Sequence, residues 1–138
     1  MKKLFSVLCI MVISLIGVFS FGENKASADY STGYQYFATE DKLWDGRITT
    51  SSSDRNVRVY VRYLWKTDGY GATRALPGDL LFRLCNEATG ACTAYKDIDD
   101  YGVDYATFYG MKVGTFKLDI KDIDSDVYIY GERNIKVY

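Results

Sequence analysis

Two cysteines, a run of spaced aspartates and a basic–aromatic file are the candidates in this chain for a covalent bridge, a cation site and a ligand contact. Cys85 and Cys92 flank Asn86-Glu87-Ala88-Thr89-Gly90-Ala91. An even pair this close reads as a disulfide in an oxidising compartment. The missing C-x-x-C spacing takes away a redox motif. Asp122, Asp124 and Asp126 have the opening spacing of a calcium loop. However, Val127 stands where such a loop needs glycine, and Arg133 stands where it needs a bidentate acid. Solvated turn acids are therefore the ordinary reading, with calcium as the alternative. Asp97-x-Asp99, with Asp100 and Asp104, fails the same pattern.

Arg58, Tyr60 and Arg62 alternate along one stretch, which puts all three on one face of a strand. Guanidinium groups and phenol rings together suit an anionic or sugar ligand. The ordinary alternative is an exposed sheet face whose arginines pair with acids on neighbouring strands. Tyr70 and Arg74 are the contact candidates of the irregular stretch 66–79, because long loops often carry function. The chain has no histidine. That removes Ser-His-Asp and Cys-His nucleophile pairs, the common zinc sets and the usual general base near neutral pH. A carboxylate-based hydrolase is the further alternative, but no pair of acids is placed by the sequence across a cleft. No cofactor is implied.

These residues need elements to hold them. Val57-Arg58-Val59-Tyr60-Val61-Arg62-Tyr63-Leu64-Trp65 alternates with period two, as a half-buried antiparallel strand does. Val57, Val59, Val61, Tyr63 and Trp65 are expected on its inner face. Leu80 to Cys85 and Cys92 to Lys96 read as a hairpin closed by the disulfide, with Phe82 opposite Tyr95 and Arg83 opposite Ala94. Leu80, Phe82 and Leu84 would then face the core with Thr93 and Tyr95 across from them, leaving the disulfide on the less buried side. Further strands are expected over 34–39, 47–51, 105–109 and 113–121. Two more are expected over 127–130 and 134–138, joined by a turn at 131–133. Residues 66–79 show no convincing strand, and no stretch shows helical period. Eight or nine short strands predict an all-β fold, a single antiparallel β-sandwich of immunoglobulin-like or jelly-roll-like type.

The N-terminus supplies an address. Lys2 and Lys3 precede an apolar run from Leu4 to Phe21, and Ala26-Ser27-Ala28 follows with small residues at −3 and −1. Residues 1–28 resemble a bacterial Sec signal peptide. Cleavage after Ala28 is expected, with the segment a helix detached from the domain at 29–138. Cys9 falls early in the apolar run and drops out of the cysteine count.

Removing 28 residues from 138 leaves 110, enough for one core. Losing Lys2, Lys3, Lys25 and Glu23 takes Lys+Arg from 17 to 14 and Asp+Glu from 18 to 17, a net charge of −3. A mildly acidic chain disfavours nucleic acid as a partner, and nothing after the signal would hold it in a membrane. All 13 tyrosines fall in 29–138. The sequence thus predicts a small secreted protein that binds a cell-wall polysaccharide or another extracellular protein. The alternative is a secreted antagonist, a bacteriocin-like toxin or protease inhibitor, presenting the disulfide-closed loop.

Overall fold

The computed structural model describes residues 29–138. The signal segment 1–28 and its expected helix lie outside the described residues. The described chain is mostly β: β1 Tyr30–Ser31, β2 Gln35–Ala38, β3 Gly46–Thr50, β4 Val57–Thr67, β5 Ala72–Arg74, β6 Leu80–Asn86, β7 Tyr105–Phe108, β8 Gly114–Asp122 and β9 Tyr128–Val137. They form two antiparallel sheets. In the larger, β9 pairs β4 on one side and both β1 and β2 on the other. The far edge of β4 pairs β7 along its first half and β5 along its end. The smaller sheet runs β3-β8-β6.

Period-two alternation explains which side is buried. Val57, Val59 and Val61 of β4 and Ile129 and Ile135 of β9 join Leu80, Phe82 and Leu84 of β6 and Phe116, Leu118 and Ile120 of β8 in one apolar cluster. Both sheets contribute to it, so neither would bury its apolar face without the other. The opposite faces of β4 and β9 carry the polar and aromatic residues.

Four local expectations are corrected. In β4 the alternation breaks between Arg62 and Trp65, where Arg62 pairs Glu132 but Trp65 pairs Tyr130. Tyr63 and Leu64 thus oppose the single residue Gly131, which is a β-bulge. Tyr63 takes a left-handed backbone (φ 53°). The extra residue turns Leu64 inward, at 3% exposure, and sends Tyr63, at 61%, and Trp65 outward. Placing Leu64 in the core is the apolar gain that sets this register.

The expected turn at 131–133 is not a turn. Tyr128–Val137 is one continuous strand. Gly131 marks the close approach of β4, since a Cβ there would lie 2.8 Å from the Arg62 carbonyl oxygen and 2.8 Å from Leu64 Cδ2.

The segment after the disulfide is not a full strand. It touches β6 in two bridges, Cys85 with Cys92 and Phe82 with Lys96. Thr93 pairs Leu84 through its backbone N–H, so Ala94 and Tyr95 together oppose Arg83. Phe82 therefore faces Lys96 instead of Tyr95, and Tyr95 leaves the core side to lie against Arg83, 4.5 Å from its guanidinium.

In 66–79, Thr67 ends β4, Ala72–Arg74 pairs β4 as β5, and Pro77–Asp79 forms a 3-10 turn. A three-residue strand is too short to show periodicity.

Candidate binding face

The solvent side of the larger sheet gathers most of the predicted contact residues. Arg58, Tyr60 and Arg62 stand on it as the alternation requires, and the bulge adds Trp65. Arg74 of β5 pairs Trp65 and lies over its ring at 4.8 Å. β9 supplies a second file on the same side, because Tyr130, Glu132, Asn134 and Lys136 are the register partners of Trp65, Arg62, Tyr60 and Arg58. β7 adds Tyr105 opposite Tyr60, the two rings 5.5 Å apart and tilted by 58°. The result is a face of aromatic rings interleaved with cations.

The cations are not equivalent. Arg62 is closed: its Nε donates to Glu132 Oε2 at 2.7 Å, and its guanidinium sits 3.5 Å from the Tyr34 ring centroid. Lys136 pairs Asp29 at 2.9 Å. Arg58 is different. Its Nε donates to Thr107 Oγ1 at 2.9 Å, and Nη1 makes a long 3.5 Å contact to the Tyr60 hydroxyl. The rings of Tyr105 and Tyr138 stand 4.5 and 5.4 Å from it. Among the described residues no carboxylate lies within ion-pair distance of Arg58. The Tyr60 hydroxyl, followed by the Tyr138 and Tyr109 phenols, pushes its pKa further up, so it stays charged.

Tyr105 is, with Tyr101 and Tyr109, a further contact candidate from the sequence, whereas Tyr138, Lys136 and Trp65 were missed as members of this face. The signal was present in β9, where aromatic and polar residues alternate with Ile129, Ile135 and Val137. Reading 131–133 as a turn cut that file in two.

The other predicted sites fall elsewhere. Tyr70 is 99% exposed on a turn whose backbone N–H donates to Asp68 Oδ1. No ring or hydrogen-bond contact ties Tyr70 to Arg58 or Arg74.

The Cys85–Cys92 disulfide forms as expected. It is less peripheral than the hairpin register implied, because Cys85 is 4% exposed while Cys92 is open to solvent. Closing this short loop contributes on the order of 2.5 kcal/mol in the chain-entropy picture. The loop is further tied by Asn86, whose Oδ1 accepts from the N–H groups of Ala88 and Thr89.

The calcium candidates are not assembled. Asp122 is buried and accepts from Thr39 Oγ1 at 2.6 Å, while Asp124 Oδ1 accepts from the Asp126 N–H. Among the described residues no group of three or more His, Cys, Asp or Glu is placed to hold a metal ion.

A second charged group sits inside the protein and was not foreseen. Arg133 points inward from β9 at 6% exposure. Its Nε donates to the Asp45 carbonyl oxygen and its Nη2 to Gln35 Oε1 at 2.7 Å, while Nη1 has no partner. The Asp45 carboxylate accepts from the Ile120 N–H at 2.8 Å. Burial pushes the Asp45 carboxyl up to about 7, with Asp41 and Asp119 adding to the rise and Arg133 opposing it. Burial likewise lowers Arg133. This pair lies under the end of β3, away from the aromatic face, and it reads as a structural cluster.

No protein-family model matches this chain, and no curated protein is significantly similar to it in sequence. Among the described residues no helix is long and apolar enough to cross a membrane.

Proposed function

We propose that this chain is a small secreted β-sandwich that binds an extracellular polysaccharide through the outer face of its larger sheet. The signal-like segment 1–28 supports export, and the disulfide is compatible with an oxidising compartment. The two sheets sharing one core support the sandwich. The observation that carries the binding reading is the file of rings and cations on β4, β7 and β9. A face meant only for solvent has no physical need for aromatic rings, whose exposure is unfavourable. A pyranose presents an apolar C–H face that stacks on a ring, and its hydroxyls bond to Arg, Asn and Tyr groups at the rim. The chain is proposed to bind and not to catalyse, since Glu87 and Glu132 are held in ion pairs by Arg47 and Arg62.

Purified cell-wall polysaccharide should retain the protein in a pull-down. The double variant Tyr60→Ala/Tyr105→Ala is expected to lose about tenfold in retention, since two stacking rings together contribute roughly 1–3 kcal/mol. Unchanged retention in that variant removes the face from the account. The antagonist reading rests on one specific observation, the 86–91 loop braced by its disulfide and by Asn86. A braced loop loses less entropy when it docks on a target protein. Inhibition of growth or of a protease that disappears on reduction would favour it over the glycan reading.

A further inference from the structure

We propose that Arg58 is the anion subsite of this face, taking one phosphate or carboxylate group of an acidic extracellular glycan. The inference rests on the face being the binding surface and adds the charge class of its ligand. Four arginines and lysines of the described chain show the contrast. Arg47, Arg62, Arg83 and Lys136 each lie within 2.9 Å of a carboxylate oxygen. Their charge is answered inside the protein. Arg58 has its Nε committed to the neutral Thr107 hydroxyl, and its terminal nitrogens meet only neutral phenols, Tyr60 at a long 3.5 Å and Tyr109. A guanidinium presents its two terminal nitrogens as a fork that matches the two oxygens of a carboxylate or phosphate. The Nε bond to Thr107 fixes the fork's orientation without neutralising it.

The surroundings favour a sugar-borne anion. The Tyr105 and Tyr138 rings stand beside the guanidinium, so a glycan's charged group can reach Arg58 while an adjoining ring lies on a phenol. The acids of this corner, Asp29 and Asp99, are already engaged, Asp29 with Lys136. Asp99 Oδ1 accepts from the Thr107 N–H and from Lys96 Nζ. The overall negative charge of residues 29–138 opposes a dense polyanion such as nucleic acid. Arg74, at the Trp65 end of the face, also lacks a carboxylate partner, but at this corner Arg58 is the one cation left unanswered among the described residues, consistent with one anionic group per repeating unit. Arg62 is the structural contrast. It lies on the same strand with the same aromatic company, yet Glu132 closes it.

The test uses protein purified after expression of the full chain, with three polymers as probes: a poly(glycerol phosphate), a polygalacturonate and neutral dextran. The wild type is expected to bind one or both acidic polymers at least tenfold more tightly than dextran. Preference between the two acidic polymers assigns phosphate or carboxylate. Arg58→Gln should erase that tenfold preference, bringing binding of the acidic polymer down to the level of dextran. Arg58→Lys, which keeps the charge but not the fork, should retain part of it. Arg47→Gln, which removes the same charge from β3 in the smaller sheet, should change it less than twofold. Binding to the acidic polymer should fall with salt at a log–log slope of about −1, the value for one ionic contact, and the slope should vanish in Arg58→Gln. Melting curves of all variants confirm that they fold. Equal binding of wild type and folded Arg58→Gln overturns the subsite while leaving the face intact. Equal binding of wild type to acidic and neutral polymers does the same. Failure of the wild type to bind any of the three, with binding to an acidic protein instead, overturns the glycan reading itself.

Discussion

Raising the pH from 5 to 8 is expected to lower the melting temperature of this protein by roughly 10 °C, because Asp45 must ionise inside the fold. The ordinary aspartate value is 3.8, and burial lifts Asp45 in the folded state to about 7. Between these values the folded state binds more protons than the unfolded chain. Stability therefore falls as pH rises through that window, and the full penalty is present above it. A shift of this size corresponds to about 2–4 kcal/mol, taking the lower figure if Arg133 and water relax around the carboxylate. The groups facing Asp45 are Asp41, Asp119 and Arg133. The Ile120 N–H bond is the strongest influence favouring the charged form, with Arg133 behind it, and the Arg133 Nε is spent on the Asp45 carbonyl and not on the carboxylate.

Asp99 works in the opposite direction. Burial acts to raise it, but hydrogen bonds from Thr107 and Lys96 outweigh burial and hold it below the ordinary value. Its contribution is present above the unfolded value and is lost at more acidic pH. The two acids together place maximal stability at or just below the ordinary aspartate value, with the fall on the alkaline side set by Asp45. Thermal melts across pH 3–9 check this directly. Asp45→Asn keeps an acceptor for the Ile120 N–H and removes the charge, so its melting temperature should be flat from pH 5 to 8 and exceed wild type at pH 8. A wild-type curve that rises over that interval contradicts the burial account.

Gly131→Ala is expected to destabilise the protein by about 2–3 kcal/mol, the range for forcing extra atoms into a packed site. The added Cβ would stand 2.8 Å from the Arg62 carbonyl oxygen, 2.8 Å from Leu64 Cδ2 and 3.1 Å from the Tyr63 carbonyl oxygen. Two of these neighbours are backbone on the bulge, and they cannot move without disturbing the β4–β9 ladder. Leu64 can move only by leaving the core. Gly71→Ala is the matched control, with nothing within 4 Å of its added Cβ, and it should fall within about 0.5 kcal/mol of wild type. Denaturant unfolding of the two variants gives the comparison. Equal stability of Gly131→Ala and wild type would mean that β9 turns at 131–133 and that the bulge register is wrong.

That glycine also shows how far the sequence could be read. The strands of strongest alternation, β4, β6 and β8, were legible, because their Val, Leu, Ile and Phe residues occupy every second position. The disulfide was legible from two cysteines and a turn-like middle. What escaped was every place where the count shifts by one residue. The bulge at Tyr63 and Leu64 exchanged inner and outer residues at the end of β4. The extra residue at Ala94 and Tyr95 did the same beside β6. Period two carries no information about a single insertion until the partner strand is known, and the partner of β4 is the most distant strand in the chain. The same long-range pairing hid the site. Arg58 and Tyr60 were visible as a local file, but Tyr105 and Tyr138 join them only through β7 and β9. Glu132, which separates Arg62 from Arg58 in chemical role, sat in a segment read as a turn. The buried Arg133 was hidden for the same reason, because its inward side follows only from the continuity of β9.

Amide shift mapping distinguishes whether the outer face of the β9–β4–β7 sheet meets an extracellular glycan. The isotopically labelled protein would be titrated with soluble cell-wall polysaccharide fragments while the backbone N–H signals are followed. Saturable shifts are expected, centred on Arg58, Tyr60, Tyr105, Thr107, Lys136 and Tyr138, with weaker ones toward Trp65 and none on the smaller sheet. Shifts confined to the 86–92 disulfide loop, or no saturable shifts on the face at all, would contradict glycan binding by this face.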